Sequence, residues 1–369
     1  MSADENVDYS KDYAPQQELP PDLKVIRVHH RQPSRIWHFL KRRVRVYADF
    51  PDYYKSWYRP ALAAARKTLR ECKVDLIYSA SPTFTTALVA MQLKKESNIP
   101  WVADFLDGWA VNDFTKMEWK ETLRQPLRWF HSRRVEKGER KILQIADKTV
   151  VISWHVKQRL CELHRTKEDR IVVIPDGFDE SVFGNLSSLD LYGTRLTITF
   201  LGNYYRYFSD PIKTFLTVVS DLEPDAEIVV IGRAANSVHE MYGDNTTCIL
   251  NMPRSRALSF GLGSDFLLVV MPSFAKWIPS KIYDYLRLGK PILGLVPNDG
   301  DAANLIRNGK AGYILSYEPT KMMQELKIIF EDWKRGTLRS FSPDIEYVKQ
   351  FQREKLTQDI AKVFDQTIS

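Results

Sequence analysis

The residues best placed to do chemistry stand in one stretch, Trp277-Ile278-Pro279-Ser280-Lys281-Ile282-Tyr283-Asp284-Tyr285-Leu286-Arg287-Leu288-Gly289-Lys290-Pro291-Ile292-Leu293-Gly294-Leu295. Pro279 is preset for the first turn of a helix. Ser280 and its neighbours leave N–H groups there without intrahelical acceptors, and Lys281 adds a fixed positive charge beside them. That combination is an anion site. Two other segments repeat the theme: Leu201-Gly202-Asn203-Tyr204-Tyr205-Arg206 and Ile231-Gly232-Arg233 each place a glycine, which admits close backbone approach, ahead of an arginine able to meet a phosphate. A different chemistry sits in Pro100-Trp101-Val102-Ala103-Asp104-Phe105-Leu106-Asp107-Gly108-Trp109. An aspartate pair can do acid–base work or hydrogen-bond sugar hydroxyls, and indole faces stack on sugar rings or lipid chains. Plainer readings stand beside each of these. Pro-Ser opens ordinary helices, glycine after a strand is turn chemistry, and an aspartate can simply cap a turn.

These segments acquire a shared geometry from the elements that must carry them. Apolar runs at Leu196–Leu201, Glu227–Ile231, Thr247–Leu250, Phe266–Val270, Pro291–Leu295 and Tyr313–Leu315 alternate with helical stretches, which predicts a doubly wound parallel sheet. All three phosphate-suited segments then fall on the carboxyl edge of that sheet, where open α/β sheets bind ligands. The first half reads as a second, less regular α/β unit, with strands at Leu23–Val28, Val74–Tyr78, Lys148–Ile152 and Ile171–Ile174 and a short one within Pro100–Trp109 that discharges into the two aspartates. Ser79-Ala80-Ser81-Pro82-Thr83 leaves one of these strands as a small hydroxyl-rich loop, a candidate wall of a cleft. Pro175-Asp176-Gly177-Phe178-Asp179 is a turn by composition, and the boundary between the halves is expected in the Ser- and Gly-containing segment 185–194.

With 369 residues, 44% of them hydrophobic, the chain can bury two real cores. No apolar run approaches a membrane span and no signal peptide opens the sequence, so a cytoplasmic protein is expected. Cys72, Cys161 and Cys248 lack metal-ligand spacing, and the histidines form no ligand pattern, so no metal is expected. The formal charge of +7 favours an anionic partner. Basic residues interleave with aromatic ones over 27–47 and again over Met117–Leu143, where Arg124, Arg128, Arg133, Arg134, Lys137, Arg140 and Lys141 accompany Trp119, Trp129 and Phe130. Such patterning suits an anionic membrane surface and equally describes a solvated basic face. No RNA-binding motif accompanies it, so nucleic acid is not expected as a partner.

Pro-Trp-Val-Ala-Asp-Phe-Leu-Asp-Gly-Trp, Ile-Pro-Asp-Gly-Phe-Asp, Phe-Leu-Gly-Asn and above all Pro-Ser-Lys-Ile-Tyr-Asp-Tyr-Leu-Arg-Leu-Gly-Lys-Pro-Ile-Leu together resemble the family-4 GT-B glycosyltransferases of bacterial surface polysaccharide assembly. The resemblance runs from about Leu23 to the C-terminal helix. It implies an α/β fold of two Rossmann-like domains with parallel sheets facing a cleft: a lead-in over 1–22, an acceptor-side domain over 23–184, a linker over 185–194, a nucleotide-sugar domain over 195–345, and a C-terminal helix within 346–369 that packs back on the first domain. The implied reaction moves a sugar from a UDP- or GDP-linked donor to a glycan or lipid-diphosphate-linked acceptor, with retention and without a metal or other cofactor. It also implies a place at the inner face of the cytoplasmic membrane.

Carried onto this sequence, the resemblance assigns Gly202 and Asn203 to the donor side, and the strand-exit reading adds Gly232 and Arg233 on the next strand. Pro279, Ser280 and Lys281 take the family's phosphate contact, and Asp284 the ribose-contacting carboxylate. A nucleotide leaving group develops negative charge that Lys281 and Arg206 can meet, and Asp107 is the candidate to take the acceptor proton. Ser81, Asp104 and Trp109 complete the acceptor side. Four departures qualify this. Leu106 and Gly108 replace an Arg and a Pro of the family motif, Asp284 is shorter than the usual Glu, and Lys276 stands where many relatives carry another Glu. The strand, glycine loop, helix and strand that open relatives have no counterpart before Leu23. An internal start or a natural truncation, leaving the N-terminal sheet incomplete, is therefore expected. A catalytically impaired binding or scaffold subunit of the same fold is the alternative.

Overall fold

The computed structural model describes residues 2–3, 20, 22–29, 50–52, 54–81, 83–106, 108–109, 126–189, 193, 195–202, 209–232, 246–250, 252–339 and 341–369. The expected site residues Asp107, Asn203, Arg206 and Arg233 lie outside them, as do most of the basic segment 27–47 and the first part of the basic helix over Met117–Leu143. The chain divides into two compact units, residues 1–152, 156–173 and 361–369 in one, and 153–155 and 174–360 in the other.

In the first unit, β3 (Ile77–Ala80), β4 (Trp101–Phe105), β5 (Lys148–Val151) and β6 (Ile171–Val173) form a parallel four-stranded sheet in sequential order. β1 (Ser2–Ala3) and β2 (Arg27–Val28) pair separately, also in parallel. Helices α1 (Tyr58–Glu71), α2 (Phe84–Ser97), α3 (Pro126–Ile145) and α4 (Trp154–His164) accompany the sheet. Trp101, Ala103 and Phe105 of β4 share a core with Phe84 of α2 and Ile142 and Leu143 of α3. The expected strand Val74–Tyr78 begins later, because the ladder to β4 starts where the Ile77 N–H finds the Pro100 carbonyl at 2.8 Å.

The second unit holds β7 (Thr197–Leu201), β8 (Glu227–Ile231), β9 (Thr246–Ile249), β10 (Phe266–Val270), β11 (Ile292–Leu295) and β12 (Gly312–Ile314), within a residue of each expected strand end. The sheet is parallel, with spatial order β12-β11-β10-β7-β8-β9. Numbered along the chain this is 3-2-1-4-5-6, the dinucleotide-binding order, and the direction of winding reverses between β7 and β10. Continuous apolar runs follow from burial on both faces. Phe266, Leu268 and Val270 enter one core with Ile198, Phe200, Ile228 and Val230, while Leu267 and Val269 enter the other with Leu201, Val229 and Ile231. The helices are α5 (Ser209–Leu222), α6 (Arg254–Gly263), α7 (Lys281–Leu288), α8 (Asp301–Asn308), α9 (Pro319–Lys334) and α10 (Ile345–Lys349), while α11 (Arg353–Ile368) begins in this unit and has its residues from 361 on in the first.

The passage between units falls at Val173–Ile174, ahead of the expected linker at 185–194. The reason is local: the Phe178 N–H donates to the Phe351 carbonyl and the Arg353 N–H to the Phe178 carbonyl, each at 2.9 Å, which ties the Pro-Asp-Gly-Phe-Asp turn into the second unit.

Candidate functional site

The reversal of winding between β7 and β10 places the crevice of the second unit. β10 registers with β7 over only two residue pairs, whereas β7 and β8 register over five. Where the ladder opens, the Tyr285 hydroxyl of α7 accepts the Leu201 N–H at 2.8 Å and donates to the Leu268 carbonyl at 3.4 Å. A side chain thus closes backbone groups that the splayed strands leave unpaired, as their burial demands.

Tyr285 thereby fixes the first turn of α7 at the carboxyl end of β7. Ser280 has helical dihedrals (φ −54, ψ −32) and makes no side-chain cap. The Ile282 and Tyr283 N–H groups turn back onto the Pro279 and Ser280 carbonyls at 3.0 and 3.3 Å. Among the described residues the Ser280 and Lys281 N–H groups of this turn meet no backbone acceptor, and Pro279 has no N–H to offer. Gly289 ends the helix in the left-handed region at φ 65, as its composition predicts.

Lys281 runs from α7 over the sheet edge, its Nζ 3.5 Å from the centroid of the Phe200 ring. The ring belongs to the core on the far side of the sheet, whereas α7 packs on the near side. Gly202, at φ +120, makes this crossing possible, since a Cβ there would sit 3.4 Å from Nζ. Gly202 and Gly232 are both anchored, their N–H groups donating to the Ile231 and Ile249 carbonyls at 2.8 and 2.9 Å. Burial depresses the Lys281 ammonium to about 7. The structure thus brings Gly202, Pro279, Ser280 and Lys281 together at one crevice, with Gly232 on the neighbouring strand exit.

Asp284 is already engaged. Arg254 Nη2, from the first residue of α6, donates to both its carboxylate oxygens at 2.7 and 2.8 Å. Burial raises the Asp284 carboxyl while Arg254, and at longer range Arg353, pull it down. Lys276, at the position of the missing family glutamate, pairs with Asp299.

In the first unit, Ser81 and Asp104 meet at the ends of β3 and β4. The Ser81 N–H and hydroxyl both donate to the Asp104 carbonyl, at 3.0 and 2.9 Å, and the Tyr78 hydroxyl donates to the Asp104 carboxylate. Trp109 stands in an aromatic cluster, its ring stacked against Phe84 at 4.4 Å and Phe50 at 5.4 Å. The Trp109 backbone N–H donates to Glu139 Oε1 at 2.6 Å, and Glu139 Oε2 lies 2.6 Å from His164 Nε2, the Glu139 and His164 side chains both fully buried. Sequence reasoning missed this pair. The signal was available: Glu139 falls four residues after Val135 and three before Ile142, on the apolar stripe of an otherwise basic helix. The same helix exposes Trp129 and Phe130 beside Arg133, Arg134 and Lys137, around a cavity of about 360 Å³. Among the described residues, no three His, Cys, Asp or Glu side chains gather as a metal site. Nor is any described helix long and apolar enough to cross a membrane.

Comparison with known proteins bears on this geometry. Residues 18–182 match the sequence model of Glycosyltransferase Family 4. The structure is similar to that of Anabaena Alr3699/HepE in complex with UDP, with a TM-score of 0.66 at 13% identity over 83% of this chain and 82% of that one. A glycosyltransferase from Rickettsia africae ESF-5 gives 0.60 at 16% identity, over 84% and 80%. The UDP-GlcNAc 2-epimerase from Neisseria meningitidis bound to UDP-GlcNAc gives 0.52 at 11%, over 96% and 94%. The fold is GT-B. No curated protein matches the sequence. The GT-B fold accounts for a dinucleotide-type sheet in the second unit and a parallel α/β unit before it.

Proposed function

We propose that the protein is a retaining, metal-independent glycosyltransferase of surface polysaccharide assembly, moving a sugar from a nucleoside-diphosphate sugar to a glycan acceptor carried on a lipid diphosphate. The observation that carries this reading is Lys281. It is a lysine with no anionic partner among the described residues, set at the first turn of α7 over Gly202, where the sheet reverses its winding. A diphosphate supplies the missing anion, and the Ser280 and Lys281 N–H groups supply its hydrogen bonds. The match to Glycosyltransferase Family 4 and a fold shared with a UDP-bound structure support the same substrate class.

In the proposed reaction the anomeric C–O bond of the donor breaks and its electron pair passes to the diphosphate, stabilised by Lys281 and Arg206. The acceptor hydroxyl oxygen bonds to the anomeric carbon and gives its proton to Asp107 or to the leaving phosphate. Gly202, Asn203, Gly232, Arg233 and Pro279 line the donor, Asp284 meets the ribose, and Ser81 and Asp104 hold the acceptor side. Trp109 supports that side from within its aromatic stack. The exposed Trp129 and Phe130 among Arg133, Arg134 and Lys137 suit an anionic membrane interface, which would set the protein peripherally on the inner face of the cytoplasmic membrane. A second reading, a binding or scaffold subunit of the same fold, is favoured by one observation: Arg254 already occupies both oxygens of Asp284.

A thermal-shift series with UDP, GDP, ADP and their sugar conjugates, repeated on Lys281→Ala, tests the donor site. A ligand at ~100 times its dissociation constant adds about 2.7 kcal/mol to the wild type, and the variant should lose that gain. If no nucleotide stabilises the wild type, the transferase reading is lost. If one does but no sugar reaches a lipid-diphosphate acceptor, the scaffold reading replaces it.

A further inference from the structure

Lys281 is an unusual group for a phosphate site. Lysines that wait for an anion are commonly kept charged by water or by a carboxylate that the ligand displaces. Here neither β7, β8 and β10 nor α6 and α7 present a carboxylate to Nζ among their described residues. Asp284 is held by Arg254, Glu180 by Arg287, and the Tyr285 hydroxyl by the Leu201 N–H. Arg254 and Arg287, which hold these carboxylates, are themselves cations. The helix end contributes a further positive potential, and Gly202 closes over the ammonium. Among the described residues, only the face of Phe200, a fully buried ring, attracts it. Desolvation and the positive helix end oppose the charge, and one aromatic face is weak compensation.

We propose that above neutral pH Lys281 is a free amine in the empty site and takes up one proton as the donor diphosphate arrives, with Phe200 as the positioning residue that holds it at the sheet edge. This rests on the nucleotide-sugar reading and adds a regulation to it: donor binding consumes a proton, so affinity falls as pH rises through neutrality. Depression of the ammonium to about 7 by burial agrees with that geometry. The balance is simple. The free amine and a solvent proton become an ammonium paired with a phosphate oxygen, and the same proton returns to solvent when the nucleoside diphosphate leaves. No covalent bond of the substrate is involved. Phe200 acts through Lys281 and does not touch the donor itself.

The test titrates lysine side chains labelled with ¹³C at Cε by NMR on the full chain without ligand, with Lys281→Arg as the assignment variant. One resonance is expected to titrate near neutrality and to be absent from Lys281→Arg, the others near the ordinary ~10.4. If every lysine titrates near that ordinary value, the inference is overturned whatever the protein binds. Calorimetry in buffers of different ionisation enthalpy at about pH 8.5 then counts protons on binding UDP-, GDP- and ADP-sugars, whose diphosphates do not titrate there. Uptake approaching one proton is expected for the wild type and none for Lys281→Arg. Binding without uptake also overturns the inference. Absence of any binding removes the nucleotide-sugar reading, and the proton coupling with it, even if the neutral lysine is found. Phe200→Leu separates positioning from packing: it should lower the Lys281 midpoint further and weaken binding, and Phe200→Tyr, which keeps the ring, should restore both. An unchanged midpoint in a folded Phe200→Leu would remove Phe200 from the proposal.

Discussion

The Leu201 N–H donates to the Tyr285 hydroxyl at 2.8 Å, so a helix side chain completes a hydrogen bond that a neighbouring strand would otherwise make. Tyr285→Phe leaves that buried donor unpaired, at a cost of about 1–3 kcal/mol. Because the same bond sets the first turn of α7 against Gly202, the variant should also lose most of the nucleotide-induced thermal shift. Urea unfolding with and without nucleotide measures both effects.

Gly202→Ala is expected to injure the site more than the fold. At φ +120 a side chain costs roughly 1–3 kcal/mol. The added Cβ would also press on Lys281 at 3.4 Å from Nζ. Nucleotide affinity should drop at least ten-fold in a protein that still unfolds cooperatively, and calorimetry reads this directly.

Lys281→Met should be more stable than the wild type at neutral pH and blind to nucleotide. Between the folded value of about 7 and the ordinary 10.5, the unfolded chain holds a proton on Lys281 that the folded chain does not. Wild-type stability therefore gains on the variant as pH rises across that window, by up to ~1.4 kcal/mol per unit. Paired denaturation curves at several pH values check the sign. A constant difference would contradict it.

Arg254→Ala strands the Asp284 carboxylate, which burial already raises. The loss should be about 1–3 kcal/mol near neutrality and should shrink as acid protonates the lone carboxyl. Asp284→Asn combined with Arg254→Ala should cost less than the two single losses added together, and a double-mutant cycle at two pH values measures this.

Glu139→Ala removes one end of a buried pair and leaves both His164 and the Trp109 N–H without it. A cost of about 3–5 kcal/mol is expected. Tryptophan fluorescence should report loosening of the Phe50–Trp109–Phe84 stack before global unfolding.

How far the sequence could be read follows from what each position depends on. Phe266–Val270 and Glu227–Ile231 are legible to the residue, because strands buried on both faces must be apolar throughout. β11 starts at Ile292 instead of Pro291 for want of an N–H on proline. Lys281 and Gly202 are legible because helix starts and strand ends have local signatures. Phe200 and Tyr285 were not. Both are core residues by burial, and the tasks of the ring face and the hydroxyl depend on where α7 meets β7, more than eighty residues apart for the bonded pair of Leu201 and Tyr285. Asp284 could be found but not its engagement with Arg254, and Trp109 could be found but not the two rings that stack against it. Side-chain partners distant in sequence leave no periodic trace.

The winding of the second sheet also bears on how the chain is made. Phe266–Val270 is its most hydrophobic run and lies at the centre, between β7 and β11. It emerges from the ribosome with its β7 neighbour already present and its β11 neighbour still to come. Until α7 and β11 follow, one long edge of β10 stands open, a five-residue stretch without charge, proline or glycine. Such edges seed aggregates. Slow synthesis at low temperature, or a chaperone that covers apolar strands, should therefore decide the soluble yield more than any substitution at the site.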